Sequence, residues 1–157
     1  WLRLAEEMDA PRMVSIQNEY SLVCRLFDTD LAELAVHEKV DLLAYSPLGA
    51  GLLTGKYAGG ARPQGSRASV NGDLGGRITP RSEAAAAAYA EIAARHGLSA
   101  VHMALAWCLT RPFMGSVIFG ATSAAQLGHI LEGVGTTLPQ EVLDEIAAVH
   151  RAHPMPY

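Results

Sequence analysis

Short apolar runs alternate with stretches of helical periodicity along this chain. Met13-Val14-Ser15-Ile16-Gln17 predicts a strand, and Asn18-Glu19-Tyr20-Ser21-Leu22 opens a loop beyond it. Leu31, Leu34 and Ala35 then keep helical spacing up to Lys39, behind the capping residues of Asp28-Thr29-Asp30. Val40 to Ser46 has the continuous apolar pattern of a strand buried on both faces. Pro47 cannot donate to a ladder, so that strand ends near Ser46. Strand, loop, helix and strand within roughly thirty residues form the βαβ signature of a parallel sheet.

The remaining pattern is mostly helical. Trp1 to Met8 reads as a helix stopped by Asp9-Ala10-Pro11. Thr79 caps, Pro80 takes the first helical position, and an alanine-rich helix runs to about His96, where Gly97 ends it. Ser99 caps a helix from Ala100 to Leu109. Ser116-Val117-Ile118-Phe119 is a third strand, and Gly120-Ala121-Thr122-Ser123 turns into a helix from Ala124 to Glu132. A last helix spans Pro139 to Ala148. Residues 57–79 are rich in Gly, Pro, Arg and Ser, a loop long enough to be functional or disordered. Three strands cannot close a barrel, and a complete (β/α)₈ barrel needs roughly 250 residues. The pattern therefore allows a small open α/β sheet or the carboxyl-terminal part of a barrel.

Composition narrows the function classes. Half of the 157 residues are hydrophobic and 18% are charged, enough for a packed core. The net charge of −4 leaves no basic surplus for nucleic acid or an anionic membrane. No apolar run reaches the roughly 20 residues of a membrane span, and the composition suits a cytoplasmic protein. Cys24 and Cys108 lie far apart, which predicts two free, half-buried thiols and no metal spacing. Trp1 falls inside a helix with no cap before it, so the chain reads as the later part of a longer protein.

The chemistry concentrates after the second strand. Ser46, Gly49, Gly51 and Gly55 follow its carboxyl end, with Lys56 behind them. Ligands bind at that end in α/β sheets and barrels. Glycines let backbone approach a ligand, their N–H groups can face anionic oxygens, and a lysine adds positive charge. This segment is either a phosphate-facing loop or a plain glycine-rich turn. Gly49-Ala50-Gly51 with Gly55 is one residue too long for a dinucleotide-binding fingerprint and opens no helix. Gly55-Lys56 lacks the hydroxyl of a P-loop, because Tyr57 follows. Gly120-Ala121-Thr122-Ser123 joins a strand to a helix, which suits either an anion site or simple capping. Tyr45 is a core aromatic or a stacking surface for a flat ring. His129 is a surface residue or a ligand contact. No histidine pair has the spacing of a zinc helix, and no nucleophile elbow is present.

Taken together, Ser15-Ile16-Gln17-Asn18-Glu19-Tyr20, Leu43 to Tyr57, and Gly120-Ala121-Thr122-Ser123 with Gln126-Leu127 resemble the aldo-keto reductases. The branch most similar is that of bacterial NADP(H)-dependent enzymes related to potassium-channel β subunits. The resemblance covers nearly the whole chain. It implies a (β/α)₈ TIM barrel of which residues 1–157 form the carboxyl-terminal part, with the sixth to eighth strands. It implies NADP(H) lying across the carboxyl ends of these strands. Gln17 would bond the nicotinamide carboxamide and Tyr45 would stack on its ring. Ser46, Pro47, Leu48 and Gly49 would line the pyrophosphate, with Lys56 nearby, and Arg67 would fold over the cofactor. Gly120, Thr122 and Gln126 would hold the adenosine 2′-phosphate end. Many relatives place Glu-Asn against the adenine where this chain has His129 and Ile130. The family's catalytic Asp, Tyr, Lys and His fall upstream of Trp1, so no catalytic residue is assigned. The expected function is reduction of a small aldehyde or ketone by the parent protein. The alternatives are a nucleotide-binding regulatory subunit and a fragment inactive alone.

Overall fold

The computed structural model describes residues 1–157. Its helices are α1 (Leu2–Glu7), α2 (Leu31–Glu38), α3 (Arg67–Val70), α4 (Pro80–Arg95), α5 (Ala100–Leu109), α6 (Ala124–Glu132) and α7 (Gln140–Ala152). Its strands are β1 (Ser15–Glu19), β2 (Asp41–Tyr45) and β3 (Met114–Ile118). Short 3₁₀ turns occupy Leu26–Thr29, Gly49–Thr54 and Ala58–Gly60.

Side chains at the helix starts explain most boundaries. Asp30 accepts from the Leu31 amide, Ser99 from that of His102 and Ser123 from that of Gln126. Thr79 and Ser82 cap α4 reciprocally, with Pro80 at its first position. α7 runs four residues beyond the expected Ala148, to Ala152, with His150 and Arg151 in its last turn.

The strands pair in parallel in the order β1-β2-β3. β1 and β3 differ from the sequence expectation at both ends. β1 extends through Asn18 and Glu19, which pair with Ala44 and Tyr45, and it begins only at Ser15. β3 begins at Met114, opposite Leu42, and stops before Phe119. Polar side chains hid the end of β1, because pairing with a neighbour outweighs local apolar content.

β2 is not buried on both faces. Leu42 and Ala44 are fully buried and join a core with Ile92 of α4, Met103 and Ala104 of α5, and Val142 and Ile146 of α7. The alternate residues Asp41 and Tyr45 are exposed, as are Gln17 on β1 and Ile118 on β3. The two-residue period of a strand therefore divides the sheet into a helix-covered face and an open face.

The segment after β1 is packed, not loose. Tyr20, Leu22 and Val23 are buried, and Tyr20 stacks on Trp107 with ring centroids 5.4 Å apart. The Tyr20 hydroxyl donates to Asp28, and the Arg25 guanidinium lies 4.1 Å above the Trp107 ring. Residues 57–79 are not structureless either. Leu52, Tyr57, Ala68 and Leu74 form a second buried cluster, and the Ala68 amide donates to the Tyr57 hydroxyl at 3.3 Å. Both cysteines are free, and both are buried more deeply than expected.

Candidate cofactor site at the strand ends

The backbone leaving β2 is unusual. Ser46, Gly49, Ala50 and Gly51 all have positive φ, at 53°, 57°, 56° and 100°. Ser46 and Ala50 have Cβ atoms, so each holds a conformation that costs on the order of 1–3 kcal/mol. Such strain persists only where surrounding packing enforces it. Here Leu52 and Leu53 are buried just beyond, and a Cβ on Gly49 would meet Val23 at 3.1 Å. The turn is closed by its own backbone: the amides of Gly49 and Gly51 donate to the carbonyls of Ser46 and Leu48 at 2.8 and 2.9 Å.

Lys56 belongs to this turn. A Cβ on Gly51 would lie 2.9 Å from Lys56 Cε and 3.0 Å from its Nζ, so the lysine side chain lies across the glycine. Its ammonium also sits 5.1 Å from the centroid of the Tyr57 ring. Gly51 thus admits the lysine stem against the backbone, and any larger residue displaces it.

The other predicted site residues fall into three groups. Gln17 and Tyr45 lie on the open face of adjoining strands; Gln17 pairs with Leu43 and Glu19 pairs with Tyr45. A cavity of about 380 Å³ opens beside Tyr45, bordered by Asn18, Phe27, Thr29 and Asp30. Arg67 starts α3, and its neighbour Ala68 packs in the cluster with Leu52 and Tyr57, so Arg67 belongs to the same folded unit as Lys56. Gly120, Thr122 and Gln126 follow β3, the strand beside β2, and all three are exposed. The Gln126 side-chain oxygen accepts from the Thr122 amide at 2.9 Å and from its hydroxyl at 3.1 Å.

Ile130 and His129, the two positions that depart from the family pattern, are both engaged within the protein. Ile130 is buried and faces protein. His129 stacks on His102 with centroids 4.6 Å apart, and its ring shares a hydrogen bond with Ser99. His96 comes together with Glu141 and Glu145 between α4 and α7, a grouping invisible to local spacing. Arg95 also pairs with Glu145, and hydrogen bonding from His96 holds that carboxyl below its usual range.

Sequence reasoning missed Glu19, placed in a loop by its polarity. Its carboxylate accepts from Arg77 Nε at 2.8 Å, from Arg77 Nη2 at 2.7 Å and from the Tyr157 hydroxyl at 3.0 Å. The bond to Glu19 raises the Arg77 pKa, and burial followed by the Glu19 charge raises that of Tyr157. The partners lie 58 and 138 residues away, so no local pattern announces them.

A parallel sheet covered by helices on one face, with strained and hydroxyl-bearing loops at adjoining carboxyl strand ends, defines an α/β protein. Comparison with known proteins gives the particular kind. Residues 2–151 match the model of the Aldo/keto reductase family, and the chain belongs to that family. It is 45% identical over 156 residues to Protein tas of Escherichia coli strain K12, covering 99% of this chain and 45% of that protein. It is 31% identical to a probable voltage-gated potassium channel subunit beta of Arabidopsis thaliana, covering 96% of this chain and 48% of that one. The fold is similar to that of the glycerol dehydrogenase AKR11B4 from Gluconobacter oxydans, at a TM-score of 0.74 and 23% identity, over 96% of this chain and 47% of that structure. The chain thus spans about half the length of these relatives. Its strands and helices are a portion of the family's barrel, as the motifs implied. No helix is long and apolar enough to cross a membrane.

Proposed function

We propose that this chain carries the dinucleotide-holding part of an NADP(H)-dependent oxidoreductase that reduces a small aldehyde or ketone. The observation that carries the reading is the strained turn in which Ser46 and then Gly49, Ala50 and Gly51 are left-handed, with Lys56 laid across Gly51. Two of those residues have side chains that disfavour the conformation, and a plain chain reversal has no need of that strain.

The residues fit the group. The amides of Ser46 and Leu48 offer donors to a pyrophosphate, Pro47 and Gly49, whose own amide is bonded to the Ser46 carbonyl, line its path, and Lys56 supplies charge. Tyr45 offers an exposed ring for the nicotinamide, with Gln17 on the neighbouring strand for its carboxamide. Thr122 and Gln126 offer polar groups to the 2′-phosphate end, and Arg67 closes from α3. When bound, the reduced nicotinamide supplies a hydride. The chain's own residues hold and orient that donor; the proton donor is assigned to none of them.

Titrating the intact protein with NADPH and with NADH, followed by tryptophan fluorescence, tests this. Saturable NADPH binding weakened by Tyr45→Ala is the expected result. Absence of binding to either nucleotide overturns it. The similarity to channel β subunits supports a second reading, in which the bound nucleotide serves regulation. Steady NADPH oxidation by the intact protein with a carbonyl substrate favours the first reading, and binding without turnover favours the second.

A further inference from the structure

We propose that Glu19 is a positioning residue that couples the segment Pro154–Tyr157 to the 57–79 loop and thereby sets how long the loop stays closed over the nucleotide. The inference rests on the reading of that loop as a cofactor clasp.

Four connections converge here. Arg77 grips both oxygens of Glu19, and the two side chains are only 23% and 17% exposed. Fork-on-carboxylate geometry of this kind is among the stronger and more directional polar contacts available to a protein. The Tyr157 hydroxyl donates to the same carboxylate. The Thr79 hydroxyl donates to the Pro156 carbonyl at 2.9 Å, and Arg81 donates to the Pro154 carbonyl at 2.9 Å. The last residues of the chain are thereby fastened to the start of α4, to the end of the loop and to the end of β1.

The loop side of the junction is equally continuous. Arg77 Nη1 donates to the Leu74 carbonyl at 2.9 Å, and Leu74 is buried with Leu52, Tyr57 and Ala68. Ala68 adjoins Arg67, and Tyr57 adjoins Lys56, so the path ends on two of the proposed cofactor contacts. Glu19 also pairs in register with Tyr45. Arg77 also lies 5.9 Å from the Tyr157 ring centroid, so a change confined to the Tyr157 hydroxyl reaches the loop through one carboxylate, without contact between Tyr157 and the nucleotide.

The experiment compares the intact protein with Tyr157→Phe, Glu19→Gln and the double variant. Tyr157→Phe keeps the ring and removes one donor, so the fold is preserved. Two readouts are taken: tryptic cleavage after Arg67 without nucleotide, and NADPH dissociation by stopped flow. Loss of a hydrogen bond to a charged group predicts dissociation faster by about tenfold in Glu19→Gln and by a smaller factor in Tyr157→Phe. Association is expected to stay unchanged, and the double variant is expected to match Glu19→Gln, since both changes act through one carboxylate. Faster loop cleavage in both single variants supports the coupling even if NADPH fails to bind, in which case the cofactor reading alone falls. Unchanged cleavage and dissociation in Tyr157→Phe, with NADPH bound normally, overturn the coupling and leave the cofactor reading standing.

Discussion

The loops after β2 and β3 look alike as sequence and differ as structure. Each follows a parallel strand, carries glycine and hydroxyl residues, and suits a phosphate. The β2 loop is held before any ligand arrives: Leu52 and Leu53 are buried, five residues from Ser46 to Gly55 have positive φ, and Lys56 is folded against Gly51. The β3 loop is exposed from Phe119 to His129, none of its residues has positive φ, and its polar groups satisfy one another. Pre-organisation lowers what a ligand must order on binding. On the proposed cofactor reading the difference assigns unlike jobs: the first loop would be a fixed seat, and the second would be shaped as a ligand displaces the Thr122–Gln126 contacts.

The largest expected effect comes from emptying the small core that fixes the seat. Leu52→Ala in the intact protein is expected to cost about 2–5 kcal/mol, as large-to-small core changes do. Urea unfolding followed by circular dichroism measures it. A loss below about 0.5 kcal/mol, the range of surface changes, would show that the β2 loop is no more anchored than its neighbour.

A smaller effect follows at Gly51. Gly51→Ala places a Cβ against Lys56 at φ 100°, with an expected loss of about 1–3 kcal/mol and weaker NADPH binding. Adding Lys56→Ala removes the clash and leaves the backbone strain, so stability returns only in part. Full recovery in the double variant would mean that the conformation is not strained, and the comparison would lose its main support.

How much of this was legible beforehand depended on the range of the interaction. Helix starts at Pro80, Ala100 and Ala124 were readable because Thr79, Ser99 and Ser123 cap within three residues of themselves. The parallel order was readable from the βαβ rhythm. The ends of β1 and β3 were not, because Glu19 and Met114 owe their pairing to Tyr45 and Leu42 on another strand. Glycines marked the β2 loop, yet its strain lies equally on Ser46 and Ala50, which no composition rule singles out. The internal packing of residues 57–79 escaped notice since four spaced residues build it: Leu52, Tyr57, Ala68 and Leu74. The roles of Gln17, Arg67 and Thr122 came from motif likeness, and binding measurements on variants are what test them.

The smallest effects separate capping from ligand binding in the β3 loop. Ser123→Ala removes the side chain that accepts from the Gln126 amide and is expected to cost about 1 kcal/mol, the usual value of an N-cap. Thr122→Ala leaves that cap in place and is expected to change stability by less than about 0.5 kcal/mol. Gly120→Ala belongs with it, because nothing lies within 4 Å of its would-be Cβ and its φ is not positive. If the loop closes on a 2′-phosphate, Thr122→Ala weakens NADPH binding and spares NADH, with thermal stability unchanged. If the hydroxyls serve only the helix, both nucleotides bind as before and only Ser123→Ala shifts the melting temperature. The two loops would then differ in kind, one a seat for phosphate and the other a helix start beside it.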